Sequence, residues 1–124
     1  MKLIIAGGRH YHLTPSDYEQ LLQITGIKTV ICGGATGVDA DAKQWAEQQG
    51  IPVKVFEADW QSYGKMAGPL RNRQMADYAD ALAVFPGGKG TDSMFEEARK
   101  RDLKIFDFRP NAQLHFDFNT EDDS

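Results

Sequence analysis

The chain has 124 residues, one cysteine and a net charge of −4. That is the length of one domain with a core of its own, and a lone Cys32 excludes an intramolecular disulfide framework and fits a reducing, cytoplasmic setting. Four acids, Asp117, Glu121, Asp122 and Asp123, fall in the last eight residues, and the other 14 acids balance 14 bases. A broad basic surface for nucleic acid is therefore not expected. No apolar run is long enough to span a membrane, and the apolar start, Met1 to Ala6, is too short for a signal peptide.

Lys2 to Ala6 reads as a buried strand that ends in Gly7-Gly8-Arg9. Glycines at the C-terminal end of a strand let a ligand or another backbone come close, and ligands of open α/β sheets sit at that edge. Arg9 is a phosphate clamp or a surface loop residue. His10-Tyr11-His12 has metal-ligand spacing, but no neighbouring Cys, His or Asp cluster completes a site, so a loop is expected and neither metal nor cofactor. Thr14-Pro15-Ser16-Asp17 opens a helix, with Thr14 as N-cap and Pro15 at the first helical position. Tyr18, Leu21 and Leu22 form its buried stripe, and Gly26 ends it.

Lys28 to Cys32 is the second strand, with Cys32 as small core filler. Gly33-Gly34-Ala35-Thr36-Gly37-Val38-Asp39 then opens a helix to Gln49, with Val38, Ala42, Trp45 and Gln49 on one side. Thr36 is a cap or a phosphate contact. Asp39 lies in the first turn, where it steadies the helix dipole or accepts hydrogen bonds from a ribose or base. Asp41 is expected to be solvated. Pro52 to Phe56 is the third strand. Trp60, in the loop that follows, either stacks on a base or covers the core.

From Gln61 to Met75 there are no acids, whereas Lys65, Arg71 and Arg73 are present. Pro69 suits the first position of a helix running to about Ala79, which puts Arg71 and Asn72 in its first turn. A cation there opposes the helix dipole, and a bound anion would relieve that conflict. Ala81 to Phe85 is the fourth strand and leads into Pro86-Gly87-Gly88-Lys89-Gly90-Thr91. A helix from Asp92 to Arg101 follows, with Met94, Phe95 and Ala98 toward the core and Glu96–Lys100 and Glu97–Arg101 as i,i+4 pairs. Strand, glycine turn and helix start together present free backbone N–H groups to an anion. The turn is not a Walker A motif, because Lys89 is followed by Gly90 rather than Ser or Thr.

Leu103 to Phe108 is the fifth strand. The expected architecture is an α/β, Rossmann-like three-layer domain over residues 1–110, with a mainly parallel sheet of about five strands. A C-terminal extension, 111–124, follows. Leu114, Phe116 and Phe118 alternate as in an edge strand or an oligomer contact, and the acidic end reads as disordered.

Gly33 to Asp39, Ala58-Asp59-Trp60, Gly64 to Met75 and Phe85 to Thr91, in this order, resemble the YspA-like branch of the SLOG superfamily. That superfamily includes the cytokinin-activating LOG phosphoribohydrolases and is related to the DNA-processing protein DprA. The likeness runs from Leu3 to Phe108. It implies a Rossmann-like fold, a nucleotide-derived ligand at the glycine loops and homo-oligomers. In the LOG enzymes the motifs are Pro-Gly-Gly-x-Gly-Thr-x-x-Glu and, upstream, Arg-Lys-x-x-Met. Pro86 to Thr91 match the first, but its Glu position is Met94. Arg71 and Met75 match the second, with Asn72 in place of Lys. Glu96 and Glu97 turn away from the loop and do not replace the missing acid.

The first functional reading is therefore a binding protein, a sensor or a sequestering module. Phosphate would sit on Gly87, Gly88, Gly90 and Thr91 beside Pro86, neutralised by Arg71 with Lys65 or Arg9. Gly7, Gly8, Gly33, Gly34, Thr36 and Gly37 would let the ligand approach, and Asn72 would flank it. Asp39 would face the ribose and Trp60 the base. The alternative is a nucleoside monophosphate phosphoribohydrolase, in which Arg71 and Asp39 would carry the chemistry. A second alternative, a DprA-like single-stranded DNA partner, is disfavoured by the neutral body and acidic tail.

Overall fold

The computed structural model describes residues 1–110. Strands and helices alternate as β1 (Lys2–Ala6), α1 (Pro15–Leu22), β2 (Thr29–Gly33), α2 (Val38–Gln48), β3 (Val53–Phe56), α3 (Trp60–Tyr63), a 3-10 turn (Gly64–Met66), α4 (Ala67–Tyr78), β4 (Ala81–Val84), α5 (Lys89–Lys100) and β5 (Lys104–Asp107). All strands pair in parallel, in the order β3-β2-β1-β4-β5. This is the expected Rossmann-like α/β arrangement. The expected edge strand and acidic tail fall on 111–124, outside the described residues.

The central strand β1 shows why the apolar runs are continuous. Leu3 and Ile5 face a layer that includes Leu21 of α1 and Val38, Ala42 and Trp45 of α2. Ile4 and Ala6 face Met75 and Ala76 of α4 and Met94 and Ala98 of α5. Both faces of the sheet are covered, so Leu3 to Ala6 are all apolar and only Lys2, at the start of the strand, is not. The strand order reverses between β1 and β4, and a crevice opens at their C-terminal ends.

Local signals hold in part. Thr14 Oγ1 accepts from Asp17 N at 3.1 Å and Asp17 Oδ2 accepts from Thr14 N at 3.0 Å, a full capping box with Pro15 behind it. The helix stops at Leu22, well before Gly26, and Leu22 is 57% exposed, because it lies about 100° around the helix from the buried Leu21. Gln49 is also exposed, since it is the C-cap of α2 rather than part of its buried side. Asp41 is not simply solvated: its Oδ2 accepts from Leu13 N at 3.0 Å and bonds His12 Nδ1 at 3.0 Å, tying α2 to the segment before α1. The expected loop around Trp60 contains a helical turn, capped by Asp59 Oδ1 accepting from Ser62 N at 3.1 Å. On α5, Glu97 pairs with Arg101 as expected, but Glu96 takes Arg99 and Lys100 leans toward Glu97. No helix among the described residues is long and apolar enough to cross a membrane.

Candidate functional site

A cavity of about 650 Å³ lies at the C-terminal ends of β1 and β4. Gly7-Gly8-Arg9 after β1 forms one side of it and Pro86 to Thr91 after β4 another. Backbone bonds lock the two together: Gly8 N donates to the Pro86 carbonyl and Phe85 N to the Ala6 carbonyl, both at 2.8 Å.

The turn after β4 becomes helical sooner than its glycines suggest. α5 begins at Lys89 rather than Asp92, with Gly88 as N-cap and no side chain capping it. Lys89, Gly90 and Thr91 therefore form the first turn, whose N–H groups have no intrahelical acceptor. Thr91 is only 6% exposed, yet it lines the cavity. Its Oγ1 lies over Gly87, where a side chain would collide with it, whereas Gly88 and Gly90 have open space where theirs would be.

Arg71 reaches the cavity from α4. That helix starts at Ala67, so Arg71 stands in the second turn and the expected conflict with the helix dipole does not arise. Its Nε donates to Asn72 Oδ1 at 3.1 Å and its Nη1 to the Phe56 carbonyl at 3.4 Å. None of the ion pairs among the described residues involves it. Asn72, 6% exposed, donates through Nδ2 to the Gly90 carbonyl at 3.3 Å and to Ser93 Oγ at 3.2 Å. It thus couples the guanidinium to the start of α5.

Asp39 sits across Gly33 from Arg71. A side chain on Gly33 would run into both groups, which explains the glycine there. Asp39 Oδ2 accepts from Ala35 N at 3.2 Å. Burial pushes its carboxyl above the ordinary value, and the N–H of Ala35, the Arg71 charge and the N–H of Gly33 only partly pull it back. It is the only carboxylate lining the cavity among the described residues. Cys32 is a buried neighbour in the core, its thiol pushed up to about 12, chiefly by burial.

Several residues singled out in the sequence stand elsewhere. Thr36 does not cap α2; its hydroxyl donates to the Arg9 carbonyl at 3.2 Å. Gly37 is the N-cap, at φ +72°, and a side chain there would strike the backbone of Gly8 and Arg9. Val38 N donates to the Gly8 carbonyl at 3.2 Å, so the start of α2 is covered by main chain. Gly34 lies against the Glu57 carboxylate, outside the cavity. Trp60 is 57% exposed beside Gly68, and Lys65 is exposed in the 3-10 turn; neither lines the cavity.

The structure also brings in residues that sequence reasoning missed. Tyr11 and Lys89 line the cavity, and so do Met75 and Met94. Lys89 stands within the glycine turn, and that position was the available signal. Tyr11 sits in a loop without periodicity, and nothing in its sequence neighbourhood separates it from a surface residue.

The profile of the YspA, cpYpsA-related SLOG family matches residues 1–63. The Gene 61 protein of Mycobacterium phage D29 is 39% identical to the chain over 87 residues, which span 64% of this chain and 70% of the phage protein.

Proposed function

The chain belongs to the YspA, cpYpsA-related SLOG family, and from that premise we propose that its cavity binds a nucleotide-derived small molecule through a phosphoryl group at the start of α5. The observation that carries this reading is the convergence of an uncapped helix N-terminus, the largely buried Thr91 and the Arg71 guanidinium on one cavity. A helix terminus alone contributes about 0.3–1 kcal/mol to an anion. Arg71, which makes no close ion pair among the described residues although Asp39 lies near it, supplies the stronger component, since hydrogen bonds to charged groups contribute about 1.5–3 kcal/mol. Lys89 and Arg9 at the rim add positive charge.

Binding without turnover, as in a sensor or a sequestering protein, is favoured by the acids. Met94 occupies the position of the LOG glutamate and lines the cavity. Glu96 pairs with Arg99, and Glu97 with Arg101 and with Arg73 of α4, so both carboxylates are engaged and neither lines the cavity. One observation keeps a hydrolytic reading in play. Asp39 lines the cavity, and burial pushes its carboxyl above the ordinary value, the direction that favours general-acid work at an N-glycosidic bond.

One incubation separates the two. Near-stoichiometric protein is mixed with nucleoside monophosphates, NAD, ADP-ribose and cyclic dinucleotides. The mixture is filtered, and the retained protein is heated to release what it holds. A compound depleted from the filtrate and recovered intact supports binding. Free base and ribose phosphate in the filtrate would replace the binder with a hydrolase. No depletion of any compound would remove the proposal.

A further inference from the structure

We infer that Tyr11 is the wall against which the base of the ligand packs, so that the cavity selects nucleoside phosphates over sugar phosphates. The inference rests on the phosphate reading above and adds the opposite end of the ligand. Tyr11 lines the cavity and, beside the His10 imidazole, supplies the only phenyl ring among the described residues that line it. Trp60, the aromatic residue that the sequence offers first, stands outside it.

Both ends of Tyr11 are fixed. Its hydroxyl donates to Asp17 Oδ2 at 2.7 Å. Asp17 is 7% exposed and is itself held by the capping box with Thr14. The backbone N–H of Tyr11 donates to the Gly8 carbonyl at 3.3 Å, and Gly8 N in turn donates to the Pro86 carbonyl. The ring is thus tied through one residue to the turn that leads into α5. Its distance from the proposed phosphate position is set by the fold rather than by a mobile loop.

The hydroxyl is already committed to Asp17, so the ring offers a ligand its apolar surface and no new hydrogen bond. Its remaining surface packs on the core that carries Leu3, Ile5 and Phe85. A rigid ring without a free polar group suits a flat heterocycle and discriminates little between bases, since every base has a π-face. The Asp17 carboxylate keeps the phenol in its neutral form, pushed up to about 12, so the wall does not change with pH in the working range.

Calorimetric titration with ribose 5-phosphate and with AMP, GMP, CMP and UMP tests this on wild type, Tyr11→Leu and Tyr11→Phe. Tyr11→Leu is expected to weaken all four nucleotides about tenfold while leaving ribose 5-phosphate unchanged. Tyr11→Phe keeps the ring and should keep the nucleotide affinities, although it loses the bond to Asp17 and melts at a lower temperature. In wild type, the ring protons of Tyr11 should move upfield in NMR spectra with AMP and not with ribose 5-phosphate, a readout that does not depend on any variant folding. Equal weakening of nucleotides and ribose 5-phosphate by Tyr11→Leu, or unmoved ring protons, would overturn the inference while leaving the phosphate site intact. Failure of wild type to bind any of the five compounds would overturn the inference, and the phosphate reading falls with it if NAD, ADP-ribose and the cyclic dinucleotides are not depleted either.

Discussion

The two glycine-rich turns of this chain look alike in sequence and are opposites in structure. After β2, the turn into α2 is closed. The Gly8 carbonyl accepts from Val38 N, the Arg9 carbonyl takes the Thr36 hydroxyl, and Gly37 is squeezed against both residues. After β4, the turn into α5 is open. No side chain caps it, and Gly88 and Gly90 face free space. Glycine in the first turn serves the packing of one loop on another. In the second it leaves room in front of a helix end. A glycine-rich strand-to-helix turn is therefore an anion site only if the rest of the fold leaves it uncovered, and here the loop after β1 covers one and borders the other.

The largest effect that would test this contrast belongs to the closed turn. Gly37→Ala places a side chain at φ +72° against backbone, and a strained conformation of this kind costs about 1–3 kcal/mol before the collision is counted. Urea unfolding should show a loss of about 3 kcal/mol or more, with ligand affinity unchanged in whatever remains folded. Arg71→Ala follows. It removes charged hydrogen bonds worth about 1.5–3 kcal/mol, so the affinity for phosphorylated ligands should fall about 10- to 100-fold with little change in unfolding.

Gly90→Ala sharpens the contrast from the open side. Ala is a better helix former by up to about 1 kcal/mol and meets nothing here, so stability should hold or rise. If the ligand approaches this backbone, affinity should drop about tenfold, the cost of one weakened charge-assisted hydrogen bond. Loss of stability instead would mean that the open turn is packed after all.

The smallest effect concerns Asp39, at the inner edge of the closed turn. Its folded pKa lies above the ordinary value of 3.8, so the folded protein holds that proton more tightly than the unfolded chain. Below 3.8 the group is neutral in both states. As pH rises through the raised folded value, charge must form within the cavity wall and stability is lost. Asp39→Asn should therefore match wild type in acid and unfold at higher urea at about pH 7.

The inner strands β1, β2 and β4 were legible because burial on both faces makes each a nearly continuous apolar run, whereas the edge strands β3 and β5 break that pattern with Lys54 and with Lys104 and Asp107. Helix starts were less so. α4 and α5 begin at Ala67 and Lys89, upstream of Pro69 and Asp92, because glycines that read as loop are already helical. Arg71, Asn72 and the Gly87–Thr91 turn were visible as cavity walls from motif and charge. Tyr11 was not, since its place depends on Asp17, Gly8 and the Pro86 carbonyl at once. Asp41 was misread for a related reason. Its partners, His12 and Leu13, come from a different connection, and no local pattern announces them.

The pairing of β1 with β4 has a consequence for how the protein comes into being. The cavity straddles that seam, with Ala6 opposite Val84. A chain emerging from the ribosome can assemble β1, β2 and β3 early, but β1 then shows a bare edge until residues 81–84 arrive. Unpaired edges of this kind invite pairing with other chains. The cavity does not exist until that edge is closed. Any small molecule it holds rewards completion of the sheet, by about 2.7 kcal/mol at a concentration one hundred times its Kd. For this chain, a ligand would act as a folding aid as well as a passenger.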